Sequence, residues 1–414
     1  MKRTLSKTPA EATLWLAEST ATGFRPWWHS IGAANEDRRW VPAFEEFFRW
    51  HAENDRYLTD RQSLAEVGVV FSVQTTDYYG KEAPDERVSS HLHGTVYSLL
   101  KARIPFDIVH ERKLDADSLS QYRVLMLPNV AALSDEQCAD IRAFVERGGS
   151  LVATFESTLY DEWGQARDDY GLADVLGVHK SGLPTRELSD EFSVLDRGGP
   201  AVGHVFQLIR DPTHPILSWA GDTDYLAYEG KLCPIATEPD ARVLATLIPP
   251  YPMYPPEMTF SEHRETPAPT IVVRERGDSK IVYFPGNVDR EFWKHNLTEL
   301  GRALGEAARW TLGTSPAVSV EGPGLLDIHP YRKGGDRIVH LVNLSQEGLW
   351  RAPMDEITPL PGQRLRIRVG PDDHVQGVRL LVSGRQAEWS VDEREVVVTV
   401  PTIEAHEVVV LIGR

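Results

Sequence analysis

Cysteine is nearly missing from these 414 residues: Cys138 and Cys233 stand alone and far apart. Without a CxxC spacing there is neither a zinc knuckle nor a disulfide framework, and two buried thiols in a reducing compartment are expected. No run of about 18 apolar residues occurs, so no membrane-spanning helix is encoded. The start, MKRTLSKTPAEATLW, carries basic residues but no apolar signal-peptide core, and the chain reads as cytoplasmic. Basic residues are in deficit, 44 against 61 acidic ones. The resulting charge of −17 repels phosphate backbones and anionic lipid heads, so neither nucleic acid nor membrane is expected as a partner. HExxH, GxGxxG after a strand and GKS/T loops are all missing, which leaves zinc proteases, dinucleotide enzymes and nucleoside triphosphatases without support. The HLHG run supplies no ligand pair, because His91 and His93, two apart on a helix, point about 200° away from one another. No metal and no cofactor are expected.

What is present is a soluble globular composition, 41% apolar and 25% charged, long enough for two or three domains. Residues 1–62 read as helix, strand, helix. Thr8, Pro9 and Glu11 start a short helix running to about Ser19. FRPWWHSIG, from Phe24, reads as the end of a buried strand. A second helix over 40–57 repeats Phe44, Phe47, Phe48 and Trp50 at three and four spacing. One strand cannot cover those rings, so the segment reads as part of a larger barrel or sheet.

Residues 63–313 alternate strand and helix. Continuous apolar runs at 66–72, 106–110, 123–129 and 150–156 suit a parallel sheet covered on both faces. Helices are expected at 88–102 and 134–147, the second opened by Ser134 with Gln137 and closed by Gly148-Gly149. The stretch 171–270, rich in Pro turns, reads as excursions and loops. A hairpin turning at Gly277-Asp278 follows over 270–286, then a helix over 298–312. Residues 314–414 hold short β runs between turn residues, as in an antiparallel sandwich.

Where related sheets place a nucleophile on a sharp turn after a strand, the run LVATFES puts Glu156 with Ser157 beside it, and Cys138 falls inside a helix. Two acidic and aromatic clusters follow strand ends: Asp161, Glu162 and Trp163, and Asn287, Asp289, Arg290 and Trp293. Ligand crevices of open α/β sheets lie there, and carboxylates with indole faces suit sugar hydroxyls and C–H surfaces. The same residues equally suit helix capping, a core anchor or an interface. His29, at the end of the strand from Phe24, is a further candidate or a packed ring.

The run RVLMLPNVAALSDEQCADIRAFVERGGSLVATFES, preceded by KARIPFDIVHE, resembles the β-galactosidase trimerisation domain. That is the amidotransferase-like α/β domain which follows the catalytic barrel in family 42 glycoside hydrolases and related barrel hydrolases. IVYFPGNVDREFW and TPAEATLWLAESTATGFRPWW resemble the latter group as well. The resemblance implies an α/β architecture: a flavodoxin-like, class I amidotransferase-like parallel-sheet domain, a C-terminal antiparallel β-sandwich, and an N-terminal remnant of a (β/α)8 barrel over 1–62. It implies a homotrimer built on the middle domain and a role in carbohydrate metabolism. The two catalytic carboxylates of such barrels lie on the fourth and seventh strands, and neither maps onto a residue here. The expectation is a non-catalytic part of a glycoside hydrolase with no catalytic residue, with His29, Asp161, Trp163, Asp289 and Trp293 as sugar-binding candidates. The alternatives are a stand-alone carbohydrate- or protein-binding assembly module, and an amidotransferase-like enzyme, which the missing elbow cysteine disfavours.

Overall fold

A computed structural model describes residues 8–27, 38, 41–183, 185–187, 202–252, 256–258, 260, 266–313, 316–345, 354–370, 373–392 and 394–413. The chain forms two units: residues 66–102 with 106–314, and residues 1–65 with 103–105 and 315–414. Helix α1 (Pro9–Ala21) opens on Thr8, whose hydroxyl accepts from the Glu11 N–H at 3.1 Å, and it runs two residues past Ser19. Helix α2 (Val41–Leu58) buries Phe44 and Phe47, half-buries Trp50 and exposes Phe48. Between them, Phe24 to Trp27 is irregular rather than strand, with Phe24 and Trp27 exposed. The rest of the expected strand, His29 included, lies outside the described residues.

The larger unit is built on one nine-stranded sheet. Its first part alternates β1 (Val67–Phe71), α3 (Ser90–Ala102), β2 (Phe106–His110), β3 (Val124–Leu127), α4 (Asp135–Glu146) and β4 (Ser150–Thr154). Ser134 and Gln137 cap α4 reciprocally, at 3.2 and 2.8 Å, as the spacing predicts. Four further strands follow: β5 (Val202–Ile209), β6 (Tyr225–Ala227), β7 (Arg242–Pro252) and β8 (Pro269–Arg276). The ninth, β9 (Ser279–Phe284), leads into α5 (Val288–His295) and α6 (Thr298–Leu312). The order is β2-β1-β3-β4-β9-β8-β7-β5-β6. Pairing is parallel from β2 through β9 and antiparallel beyond it. Leu125, Leu127, Ile141, Phe144, Leu151 and Ile281 share one buried cluster, so the apolar runs face helices as the sequence implies.

One expectation is corrected here. The stretch 171–270 is not only loops, because β5, β6 and β7 extend the sheet and Leu244, Ala245, Leu247 and Ile248 are buried. Prolines at 249, 250 and 252 obscured the strand period, yet they fall on β7 past the residues that pair with β8.

In the smaller unit β10 (Val318–Glu321), β11 (Leu326–Lys333), β12 (Asp336–Asn343) and β13 (Leu360–Arg368) are followed by β14 (Gly377–Leu380), β15 (Glu388–Asp392), β16 (Glu395–Ile403) and β17 (His406–Ile412). They form two antiparallel sheets, β11-β12-β17-β14, with the short strand Gln62–Ser63 on β11, and β10-β13-β16-β15. Ile328, Leu341, Leu365 and Val398 are among the buried residues of their shared core. The other face of the first sheet is also buried: Tyr57 and Leu58 of α2 cluster with Tyr331, Ile338, Val408 and Val410. Trp50 Nε1 donates to the Leu381 carbonyl at 2.8 Å, and the Tyr331 hydroxyl donates to the Ala21 carbonyl at 2.6 Å. The aromatic face of α2 is thus covered by sandwich strands of the same compact unit.

His406 is buried beside Phe47 and Trp50, ring centroids 5.5 and 5.0 Å away, and its Nε2 has no hydrogen-bond partner. Burial pulls its pKa down to about 4. A base held below its ordinary range is protonated more readily in the unfolded chain. The stability it supports is therefore complete above pH 6.5 and is lost as pH falls toward 4. His406→Phe, which cannot titrate, is expected to gain about 2 kcal/mol on wild type between pH 7 and pH 5. Denaturant melts at the two pH values read this difference; equal changes in both proteins would refute it.

Candidate functional site

A cleft of about 520 Å³ opens in the larger unit where the chain leaves β4 and β9. Sharp backbone turns shape its floor, since Asn129, Phe155 and Thr158, which follow β3 and β4, all take positive φ (45°, 51° and 67°). Phe155 is pinned there by its own N–H, which donates to the Phe284 carbonyl at 2.7 Å, and by the Tyr283 hydroxyl, which donates to its carbonyl at 2.5 Å.

This turn presents Glu156 to the cleft. Glu156 Oε2 accepts from the Tyr79 hydroxyl at 2.7 Å and the Tyr160 hydroxyl at 3.4 Å, and Oε1 accepts from Thr185 at 3.3 Å. Its N–H donates to Asn129 Oδ1 at 3.1 Å, and Asn129 Nδ2 donates to the Arg87 carbonyl at 2.8 Å. Burial, and then the Glu156 charge, push the Tyr160 hydroxyl up to about 12 and that of Tyr79 higher still, so both remain neutral donors. Glu86 lies on the cleft wall between Lys294 and Arg290, whose hydrogen bonds hold its carboxyl down to about 2. A carboxyl held that low is no general acid at neutral pH.

Beneath the cleft is a buried polar network. Asp289 is fully buried at the start of α5 and accepts from Thr154 at 2.7 Å and from its neighbour's N–H, Arg290, at 2.9 Å. His91 Nδ1 stands 2.6 Å from Asp289 Oδ1, and the imidazole stacks on Phe155 at 5.9 Å. The Asp289 carboxylate fixes this ring as the orienting partner in a hydrolytic triad would, but no activated nucleophile accompanies it among the described residues. Ser157 is buried and donates to the Leu127 and Thr154 carbonyls. Cys233, 3.9 Å from Thr185, is buried and its thiol is pushed up to about 12 by burial, then by Glu156; burial likewise raises Cys138 to about 11. Both stay neutral thiols. The arrangement suits hydrogen bonding to a polar ligand more than covalent chemistry.

The sequence-derived candidates take separate places. Asp161 closes its own loop, accepting from Trp163 N–H at 3.0 Å and Gln165 N–H at 2.8 Å. Trp163 is 60% exposed and meets Tyr78 edge-on at 5.3 Å. Asp289 belongs to the network below the cleft, and Trp293 packs on His93 at 4.9 Å. None of the four lines the cleft, although Glu156, Gly164, Asn287 and Arg290 from the same two strand ends do. His29 lies outside the described residues. Tyr79 and Arg87 come from the wide helical turns Thr75–Gly80 and Asp85–Ser89, which have no sequence period to announce them.

Residues 65–220 match the β-galactosidase trimerisation domain family. No curated protein matches the sequence. Among solved structures, α-L-fucosidase isoenzyme 2 from Paenibacillus thiaminolyticus is similar at 22% identity and a TM-score of 0.69, over 99% of this chain and 58% of that one. A β-galactosidase from Bacillus circulans sp. alkalophilus is similar at 16% identity and a TM-score of 0.62, over 98% and 52%. The cold-adapted β-galactosidase from Rahnella sp. R3 is similar at 15% and 0.60, over 99% and 52%. The chain spans somewhat more than half the length of these structures.

Proposed function

We propose, from the match of residues 65–220 to the β-galactosidase trimerisation domain, that this chain is the non-catalytic, self-associating portion of a β-galactosidase-like glycoside hydrolase. That match carries the reading. Supporting it, the strand order β2-β1-β3-β4-β9 reads 2-1-3-4-5, the flavodoxin-like order of amidotransferase-like domains. Likeness along nearly the whole chain to glycosidases of greater length also supports it. On this reading α1, the link and α2 correspond to the last helix, strand and helix of a (β/α)8 barrel, and the catalytic carboxylates belong to earlier barrel strands. The cleft beside Glu156, with neutral tyrosine donors and fixed charges, then faces a sugar without cleaving it, in a reducing cytoplasm.

Light scattering at micromolar concentration is expected to give three times the monomer mass, through the larger unit, and the isolated chain is expected not to hydrolyse aryl galactosides. A monomer mass would overturn the assembly role. Turnover that disappears in Glu156→Gln would overturn the non-catalytic reading and move an active site into this unit.

A further inference from the structure

We propose that Glu18, Asp327 and His329 form a binding site for a divalent cation of the zinc class, within the unit that joins α1 to the sandwich. Asp327 and His329 are two apart on β11, so their side chains leave the same face of the strand. Glu18 comes from α1, and one ligand atom from each of the three lies within 4.8 Å of the others. Asp327 Oδ2 and His329 Nε2 are 2.9 Å apart. Two donors at about 2.1 Å from one tetrahedral ion stand about 3.4 Å apart, so this pair needs to part by only about half an ångström to become adjacent ligands.

Glu18 supplies an independent sign. Although the residue as a whole is half-buried, its Oε1 is enclosed and has no hydrogen-bond partner. Among the described residues no Lys or Arg forms an ion pair with Glu18 or Asp327, so two carboxylates share a buried space with one imidazole. A doubly charged ion would offset both carboxylates and occupy the Glu18 oxygen. A second acidic trio, Glu229, Glu291 and His295, lacks this need, because the Arg290 guanidinium already pairs with Glu291. One imidazole nitrogen with two carboxylate oxygens suits Zn²⁺, and Mg²⁺, which prefers oxygen ligands and keeps its water, should bind far more weakly.

The test uses the full chain, stripped with chelator and dialysed against Zn²⁺ or Mg²⁺, with bound metal measured by elemental analysis. One Zn²⁺ per chain is expected, with a melting temperature raised by roughly 5–10 °C at saturation and no comparable effect of Mg²⁺. Glu18→Gln and His329→Gln are each expected to weaken zinc binding at least tenfold, and Glu229→Gln to leave it unchanged. A folded, stripped wild type that takes up no zinc would overturn the site and leave Glu18 and Asp327 sharing a proton. Zinc uptake lost in Glu229→Gln and retained in His329→Gln would overturn it equally. Should Glu18→Gln not fold, the wild-type stoichiometry and His329→Gln still decide.

Discussion

Gly94→Ala is expected to destabilise the larger unit by about 3 kcal/mol, the upper end for forced overpacking, and to lower its melting temperature by roughly 6–12 °C. On helix propensity alone the sign would be opposite, since Ala is favoured over Gly inside a helix by about 1 kcal/mol. Packing decides otherwise. A Cβ at Gly94 would stand 1.9 Å from the Asp289 carbonyl oxygen and 2.6 Å from its carbonyl carbon. Those are backbone atoms at the first turn of α5, so no side chain can swing aside, and α3 and α5 must separate. Their separation would pull Asp289 from its partners as well. Differential scanning calorimetry checks this; a variant melting at or above wild type would show that the two helices are not in this contact.

Asp289→Ala is expected to cost about 3–5 kcal/mol, because it removes the acceptor that three buried groups share: His91, Thr154 and the Arg290 N–H. Asp289→Asn keeps the shape and one oxygen, and a loss of about 1–2 kcal/mol is expected. The ratio between the two variants is the informative quantity. Equal losses would mean that volume, not hydrogen bonding, holds the site. Since Gly94 and Asp289 touch, the double variant is expected to lose less than the two single losses together.

Local signals in the sequence carried far. The Thr8 and Ser134 caps, the apolar runs of β1 to β4 and the turn at Gly277-Asp278 each depend on residues a few positions apart, and each stands in the structure. The HLHG run was legible only in part. Its histidines do diverge, His91 into the core and His93 toward Trp293, but the glycine's role depends on a helix almost two hundred residues later. The same distance hid the site. Glu156 stood out as the residue on the turn, yet its hydrogen-bond donors come from Tyr79, Tyr160 and Thr185, which only the fold brings together. The clusters around Asp161 and Asp289 pointed to the correct strand ends. Which residue at each end faces the cleft was set by turn geometry, and acidic side chains that cap a loop or anchor a core have the same composition as those that bind. The cover of α2 was illegible for a plainer reason: its partners, Tyr331, Ile338, Val408 and Val410, lie in the last hundred residues.

Strand β9 joins the two halves of the large sheet, and this has a consequence in time. On one side it pairs with β8 across a tight turn, Arg276 opposite Ser279, a contact that forms in roughly 1–10 μs. On the other it pairs Ile281 with Leu151, 130 positions earlier, for which chain closure alone costs about 4 kcal/mol. During synthesis at about 5–20 residues per second, β4 therefore leaves the ribosome roughly 6–26 s before its neighbour exists. Throughout that interval its outer edge, in the apolar run Leu151 to Ala153, has no strand to pair with. An unpaired apolar edge is a template for another chain. Yield in the cell should thus depend on the speed of translation through residues 155–280, with slow passage there favouring aggregation of a chain whose finished sheet has β4 safely inside.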